Sequence, residues 1–251
     1  MMRLADLRFD DAWTIARKDL LGAWTRRGIR NAIILFPLVA AISLPRVIVY
    51  AHNRGAAMPA AVIPTLLQSF LFFFMIAVTT LPTAIAAYSL VGEKVERSLE
   101  PMLATPVSVT SVLVGKMVAA VVPTLLSVWT SCIVFMVLAN RAVSPILGHG
   151  WFPQTETWVQ LFVLMPLVAL MTVNIDILVS ARAGDVRSAQ QIAGLTTLPF
   201  AAIYVAAEMG SVTLDMAMML RMSVIVAVVA AATLAVARRT FDREEILTRW
   251  T

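Results

Sequence analysis

Apolar residues run through this chain in blocks of about twenty, separated by shorter segments that hold nearly all of its charge. An α-helix needs ~20 such residues to cross the hydrocarbon core of a bilayer. Six blocks can be placed, at about 33–50, 63–90, 112–138, 158–179, 192–207 and 222–237. The stretch from Gly55 to Gly92 contains no Lys, Arg, Asp or Glu, and Pro82 within it is a point for a kink. The third block carries Lys116 near its start and Pro123 inside. The pattern predicts an all-α membrane protein of about six transmembrane helices, forming one membrane domain over residues 1–251.

Composition strengthens that expectation. Of the 251 residues, 60% are hydrophobic and 14% charged, against about 45–50% and 25% in soluble domains. A water-soluble fold of this size could not hide so much apolar surface. The net charge of +5 lies between the apolar blocks, which points to anionic lipid head groups and membrane orientation and away from nucleic acid. With both termini in the cytoplasm, 16 of the 20 Lys and Arg fall inside. Seven precede the first block, Lys94, Arg97 and Lys116 follow the second, Arg182 and Arg187 follow the fourth, and four lie in the C-terminal tail. Arg46, Arg54, Arg141 and Arg221 fall outside. That bias follows the positive-inside rule. Residues 1–30 are too rich in charge to read as a cleavable signal, so the first block is expected to remain in the mature protein. The single cysteine, Cys132, excludes an intramolecular disulfide.

Two polar segments carry further pattern. In residues 10–30, Trp13, Ala16, Leu20 and Trp24 recur at helical spacing, while Arg17, Lys18, Arg26 and Arg27 occupy other positions. This predicts a basic amphipathic helix on the membrane surface, as a simple anchor or as a lateral helix that transmits motion from a cytoplasmic partner. In the loop 92–111, Val95, Leu99, Met102 and Leu103 form an apolar stripe opposite Glu93, Lys94, Glu96, Arg97 and Glu100. A short amphipathic helix follows, closed by Pro106, and its stripe wants a partner surface.

The string Glu93, Glu96, Arg97, Ser98, Leu99, Glu100, Met102, Leu103, Ala104, Thr105, Pro106, followed by Gly115 and Lys116, resembles the cytoplasmic loop of ABC transporter permeases of the type-2 exporter class. The run Ile15-Ala16-Arg17-Lys18-Asp19-Leu20 resembles the interfacial helix of that class. The stretch 180–191, with Arg182, Asp185, Arg187, Gln190 and Gln191, resembles its second cytoplasmic loop. The resemblance implies a permease subunit in the cell's inner membrane, with Glu93–Pro106, Arg182, Asp185 and Arg187 docking a separate ATP-binding subunit. ATP and magnesium would be held by that partner, since no Gly-x-x-x-x-Gly-Lys-Ser/Thr loop occurs in this chain. Six spans resemble half of a translocation unit, which implies a second permease copy or a paralogue.

Within the blocks, Gln68, Thr79, Thr80, Thr83, Thr130, Asn174 and Asp176 are candidates to line a path, or to bond between helices. Asp176 is an intramembrane carboxylate. It either reaches the interface, pairing with Arg182 or Arg187, or serves as the coupling site of an ion-driven transporter. An intramembrane enzyme is the weaker class: no HExxH or GxSxG occurs, and His52 and His149 are far apart in sequence. A structural assembly factor is the remaining alternative.

Overall fold

A computed structural model of the chain describes residues 9–53, 59, 61–95, 109–183 and 185–240, with the side chains of 87–95, 109, 181–182 and 238–240 outside the description. The described residues are helical and contain no strand. The order is α1 (Phe9–Thr25), α2 (Arg27–Asn53), α3 (Ile63–Phe72), α4 (Phe74–Val95), α5 (Val109–Leu147), α6 (Thr155–Val159), a π-helical turn Gln160–Leu164, α7 (Met165–Arg182), α8 (Val186–Gly194), a 3-10 turn Leu195–Thr197, α9 (Leu198–Glu208) and α10 (Met216–Thr240).

Five segments are long and apolar enough to cross a membrane: Arg27–Asn53, Ile63–Ala86, Thr110–Leu147, Thr155–Ser180 and Met216–Ala237. The second is central and mostly buried, whereas the first and last are peripheral and bury only a minority of their residues. Each peripheral helix packs through one face. Ile33, Ala40, Ala41 and Ile48 of α2 are buried, while Leu35, Val39 and Val47 face outward. Exposed aliphatic residues in such number suit a lipid solvent. The block expected at 192–207 is built in pieces, α8, the 3-10 turn and α9. α9 alone has 11 residues, about 16 Å at 1.5 Å each, which is half a bilayer core.

Helix interruptions are satisfied internally, as a water-poor environment demands. The long second block breaks at Phe73, not at Pro82, which lies inside α4. The Phe73 ring reaches Phe36 of α2 and Tyr204 of α9, with centroids 6.3 and 5.4 Å away. Beside this break, the Leu71 carbonyl accepts from Gln160 Nε2 at 2.9 Å. In the π turn, the Leu161 carbonyl accepts from the Trp129 indole, also at 2.9 Å.

α5 is the spine, 39 residues long, or about 58 Å. It packs on α1, α2, α4 and α7. Its first turns lie against α1, and its far end closes at Gly148, whose φ of +76° makes a left-handed cap. The loop beyond is organised by Asn140. Its Oδ1 accepts from the backbone N–H of Trp151 (2.9 Å) and Phe152 (2.8 Å), and its Nδ2 donates to the Phe152 carbonyl (2.8 Å).

α1 approaches α5 closely because both present small residues. Ala12 and Ala16 are buried against it, and Gly115 leaves the gap. A Cβ at Gly115 would lie 2.7 Å from the Ala12 carbonyl oxygen and 2.9 Å from Ile15 Cβ. Backbone cannot yield as a flexible side chain does. Gly115→Ala should therefore push α1 off α5 at a cost of about 1–3 kcal/mol. Faster tryptic cleavage at Arg17 with an otherwise unchanged digest would check it; wild-type cleavage rates would refute it.

Candidate functional site

Three sequence-distant elements adjoin the neighbouring helices α4 and α5: α1 packs on α5, α8 packs on α4, and residues 96–108 connect the two. α1 supplies Asp19 and α5 supplies Lys116. Lys116 Nζ lies 3.3 Å from Asp19 Oδ2, with side chains only 3% and 6% exposed. The rest of α1 divides cleanly. Trp13, Leu21 and Trp24 are exposed large apolar residues, Arg17 and Lys18 are exposed, and Leu20 is half-buried. The helix thus clamps to the spine through a small-residue face and an ion pair, and turns its indoles outward. The sequence stripe of Trp13, Ala16, Leu20 and Trp24 mixes both faces, because the tryptophans do not share the side that Ala12 and Ala16 bury.

Between α4 and α5 lies the predicted docking loop. Glu96, Arg97, Leu99, Glu100, Met102, Leu103, Thr105 and Pro106 are outside the described residues, as are the side chains of Glu93 and Arg182. The flanking helix ends are described, and α4 packs on α5, α7 and α8.

α8 is the third element. Asp185 is its N-cap: Oδ1 accepts from the Ser188 backbone N–H at 2.9 Å, and the Ser188 hydroxyl donates to Oδ2. Arg187 is exposed on the first turn. The Ser188 hydrogen bonds hold the Asp185 carboxyl below its ordinary value. An aspartate with a depressed folded pKa contributes its stability above the unfolded value of ~3.9 and loses it as pH falls through the lower folded one. Protection of the Ser188 amide, corrected for intrinsic exchange, should therefore stay constant from neutral pH to about 4 and fall below that. In Asp185→Asn, which keeps a capping side chain without a proton to gain, it should stay constant throughout.

A buried polar cluster lies deeper, between α4, α7 and the 3-10 turn. Asp176 is fully buried. Its Oδ1 accepts from Thr83 at 3.1 Å, and its Oδ2 has no hydrogen-bond partner among the described residues. Neither Arg187 nor any other described cation pairs with it. Thr83 has one hydroxyl proton and two acceptors, Asp176 Oδ1 and the Thr79 carbonyl at 3.0 Å. Thr79 in turn meets Thr197 Oγ1 at 3.0 Å. Of the candidate path residues, the structure brings together Thr79, Thr83 and Asp176. Thr80 bonds the Ile76 carbonyl of its own helix (2.8 Å), and exposed Thr130 bonds Leu126 of its own (2.7 Å). Asn174 Nδ2 donates to the Ala230 carbonyl at 3.2 Å, tying α7 to α10.

Gln68 is at the opposite end. It lines a cavity of about 250 Å³ with Ser69, Trp151, Glu156 and Asp215. Asp215 is committed there as a helix cap, accepting from Met218 N–H at 2.8 Å.

Lys116, Gly115, Thr197 and Asn140 are the residues that a pattern reading undervalues. Lys116 signalled itself as a cation at the edge of an apolar block, and with Gly115 it closes the string that carries the resemblance, but Thr197 and Asn140 gave no signal. Among the described residues, no three of His, Cys, Asp or Glu are grouped to hold a metal ion. The chain matches no known family model and no curated protein.

Proposed function

We propose that this chain is the membrane-spanning permease subunit of an ATP-driven exporter of the ABC type-2 class, paired with a second permease and energised by a separate ATP-binding subunit. One observation carries the reading. The Asp19–Lys116 contact joins two of the stretches on which the resemblance rests, and the third, α8, packs on α4, which leads into the docking loop. The segments that this reading assigns to a cytoplasmic subunit thus adjoin the same two neighbouring helices, α4 and α5.

In this reading the chain crosses six times, with both termini cytoplasmic. The end of α8, the 3-10 turn and α9 form a bent fifth crossing over about residues 192–207, and the start of α8 stays on the cytoplasmic side. Closure of the ATP-binding subunits would press on the loop 92–111. The load would pass to the start of α5, and through Lys116 to α1. Such coupling requires that the partner contact two states of the permease differently.

The test is co-purification of the gently solubilised chain from its native cells, with bound proteins identified by mass spectrometry. An ATP-binding cassette subunit should accompany the wild type and be lost from Leu99→Arg and Leu103→Arg. A well-folded chain without that subunit would refute the reading.

Asp176 favours a second reading, an ion-coupled transporter, because its buried Oδ2 has no donor among the described residues. Asp176→Asn keeps the shape and the Thr83 bond. Under the ATP-driven reading, ATP-dependent transport in proteoliposomes should survive this change. Its loss, with the ATP-binding subunit still bound, would favour ion coupling.

A further inference from the structure

α9 and α10 are joined by a short turn but do not pack closely on each other. α9 lies on α3, and α10 lies on α7. The space left between them is a groove of about 570 Å³, floored by Met171 and Ile175 of α7 and walled by Phe200 and Ile203 of α9 and Met222 and Val226 of α10. Its lining is almost wholly apolar, with one charged residue, Arg221.

Arg221 is exposed in the second turn of the last membrane-length segment, close enough to its outer end for a long basic side chain to reach the head groups. Its Nε–H donates to the Ala217 carbonyl of its own helix at 3.2 Å. A guanidinium has five N–H donors in a planar fork, and no described carboxylate pairs with the rest of this one. Helix cap Asp215 is occupied by Met218.

Groove and cation together describe an amphiphile. We infer that the cleft between α9 and α10 binds one anionic phospholipid, its acyl chain along the groove and its phosphate on Arg221. Charge selects the occupant: the one charged residue in the lining is a cation, and the rest of the groove offers apolar contact of the kind an acyl chain makes. The fork geometry of Arg suits phosphate oxygens, which it binds by paired hydrogen bonds. The inference requires a bilayer as solvent and is independent of the transport reading.

Native mass spectrometry of the full, delipidated chain tests it, with phosphatidylglycerol and phosphatidylcholine of identical chains as probes. One phosphatidylglycerol should be retained per chain, about fivefold more strongly than phosphatidylcholine, the factor expected for one basic contact to an anionic head group. Arg221→Gln should bring that preference to within about twofold. Ile203→Trp, which fills the groove, should abolish retention of both lipids. Circular dichroism and gel filtration establish that each variant is folded; Val226→Phe makes the same test should Ile203→Trp not fold. Equal retention of the two lipids by the wild type, or an undiminished preference in Arg221→Gln, overturns the inference. So does displacement of the lipid by inorganic phosphate alone, which would mean a head-group site without a chain site. Rapid disulfide cross-linking of Ile225→Cys between two copies, in a Cys132→Ser background, would assign the groove to a second chain and equally overturn it.

Discussion

Lys116→Met should destabilise the folded chain by about 3 kcal/mol, and adding Asp19→Leu should recover most of that loss. The contact is short, at 3.3 Å, and both side chains are almost wholly removed from solvent. Taking one partner away leaves the other charge in a site built for a pair, and this typically costs 3–5 kcal/mol. Both groups hold further contacts, which puts the expectation at the low end. Replacing both with apolar residues of similar volume removes the burial cost along with the attraction, so the double variant is close to neutral. Reversible unfolding in mixed micelles, read as a double-mutant cycle, measures the coupling directly. A single variant as stable as the wild type would mean that the pair contributes nothing. A double variant as unstable as the single would mean that packing, not charge, holds α1.

Asn140→Ala should cost about 2–3 kcal/mol, because one side chain makes three hydrogen bonds to the loop backbone. Two of those bonds satisfy the N–H groups of Trp151 and Phe152. Without Asn140 these donors lose their acceptor beside a packed aromatic, since Phe152 lies against Phe135 with centroids 5.6 Å apart. Exchange at the two amides should accelerate together. Asn140→Asp keeps both acceptor bonds and loses only the donation to the Phe152 carbonyl, so it should fall between wild type and alanine. Unchanged amide protection in Asn140→Ala would refute this account of the loop.

These two residues also show what a sequence reveals. The apolar blocks are visible because lipid imposes a length and a composition, and five of them became helices of membrane-spanning size. Their limits were less visible. α5 runs from Val109 to Leu147, well past the apolar 112–138, because Asn140, Arg141 and Ser144 continue a helix that composition alone would end. The break at Phe73 was hidden, since a ring that finds partners on α2 and α9 leaves no local signature, whereas Pro82 has a local signature and sits within a helix. The polar contacts divide the same way. Asp185 could be read as a helix start from its neighbours alone. Asp19 and Lys116 are 97 residues apart, and Thr79 and Thr197 are 118 apart. Nothing in either residue names its partner until the topology brings them together. Asp176 could be read as unusual, but its separation from Arg187 could not, since the two are near in sequence and only the fold shows Arg187 turned outward.

The separation of Asp19 from Lys116 also sets an order of events during synthesis. A ribosome adding about 5–20 residues per second reaches Lys116 some 5–20 s after Asp19. Throughout that interval the N-terminal helix has no docking site, because the Gly115 notch against which it will rest has not been made. The exposed indoles of Trp13 and Trp24 give it a place to wait at the lipid head groups, where amphipathic aromatic rings are favoured. A nascent chain stalled just before Gly115 should therefore hold this helix on the membrane surface, open to protease, and one extended beyond α5 should protect it.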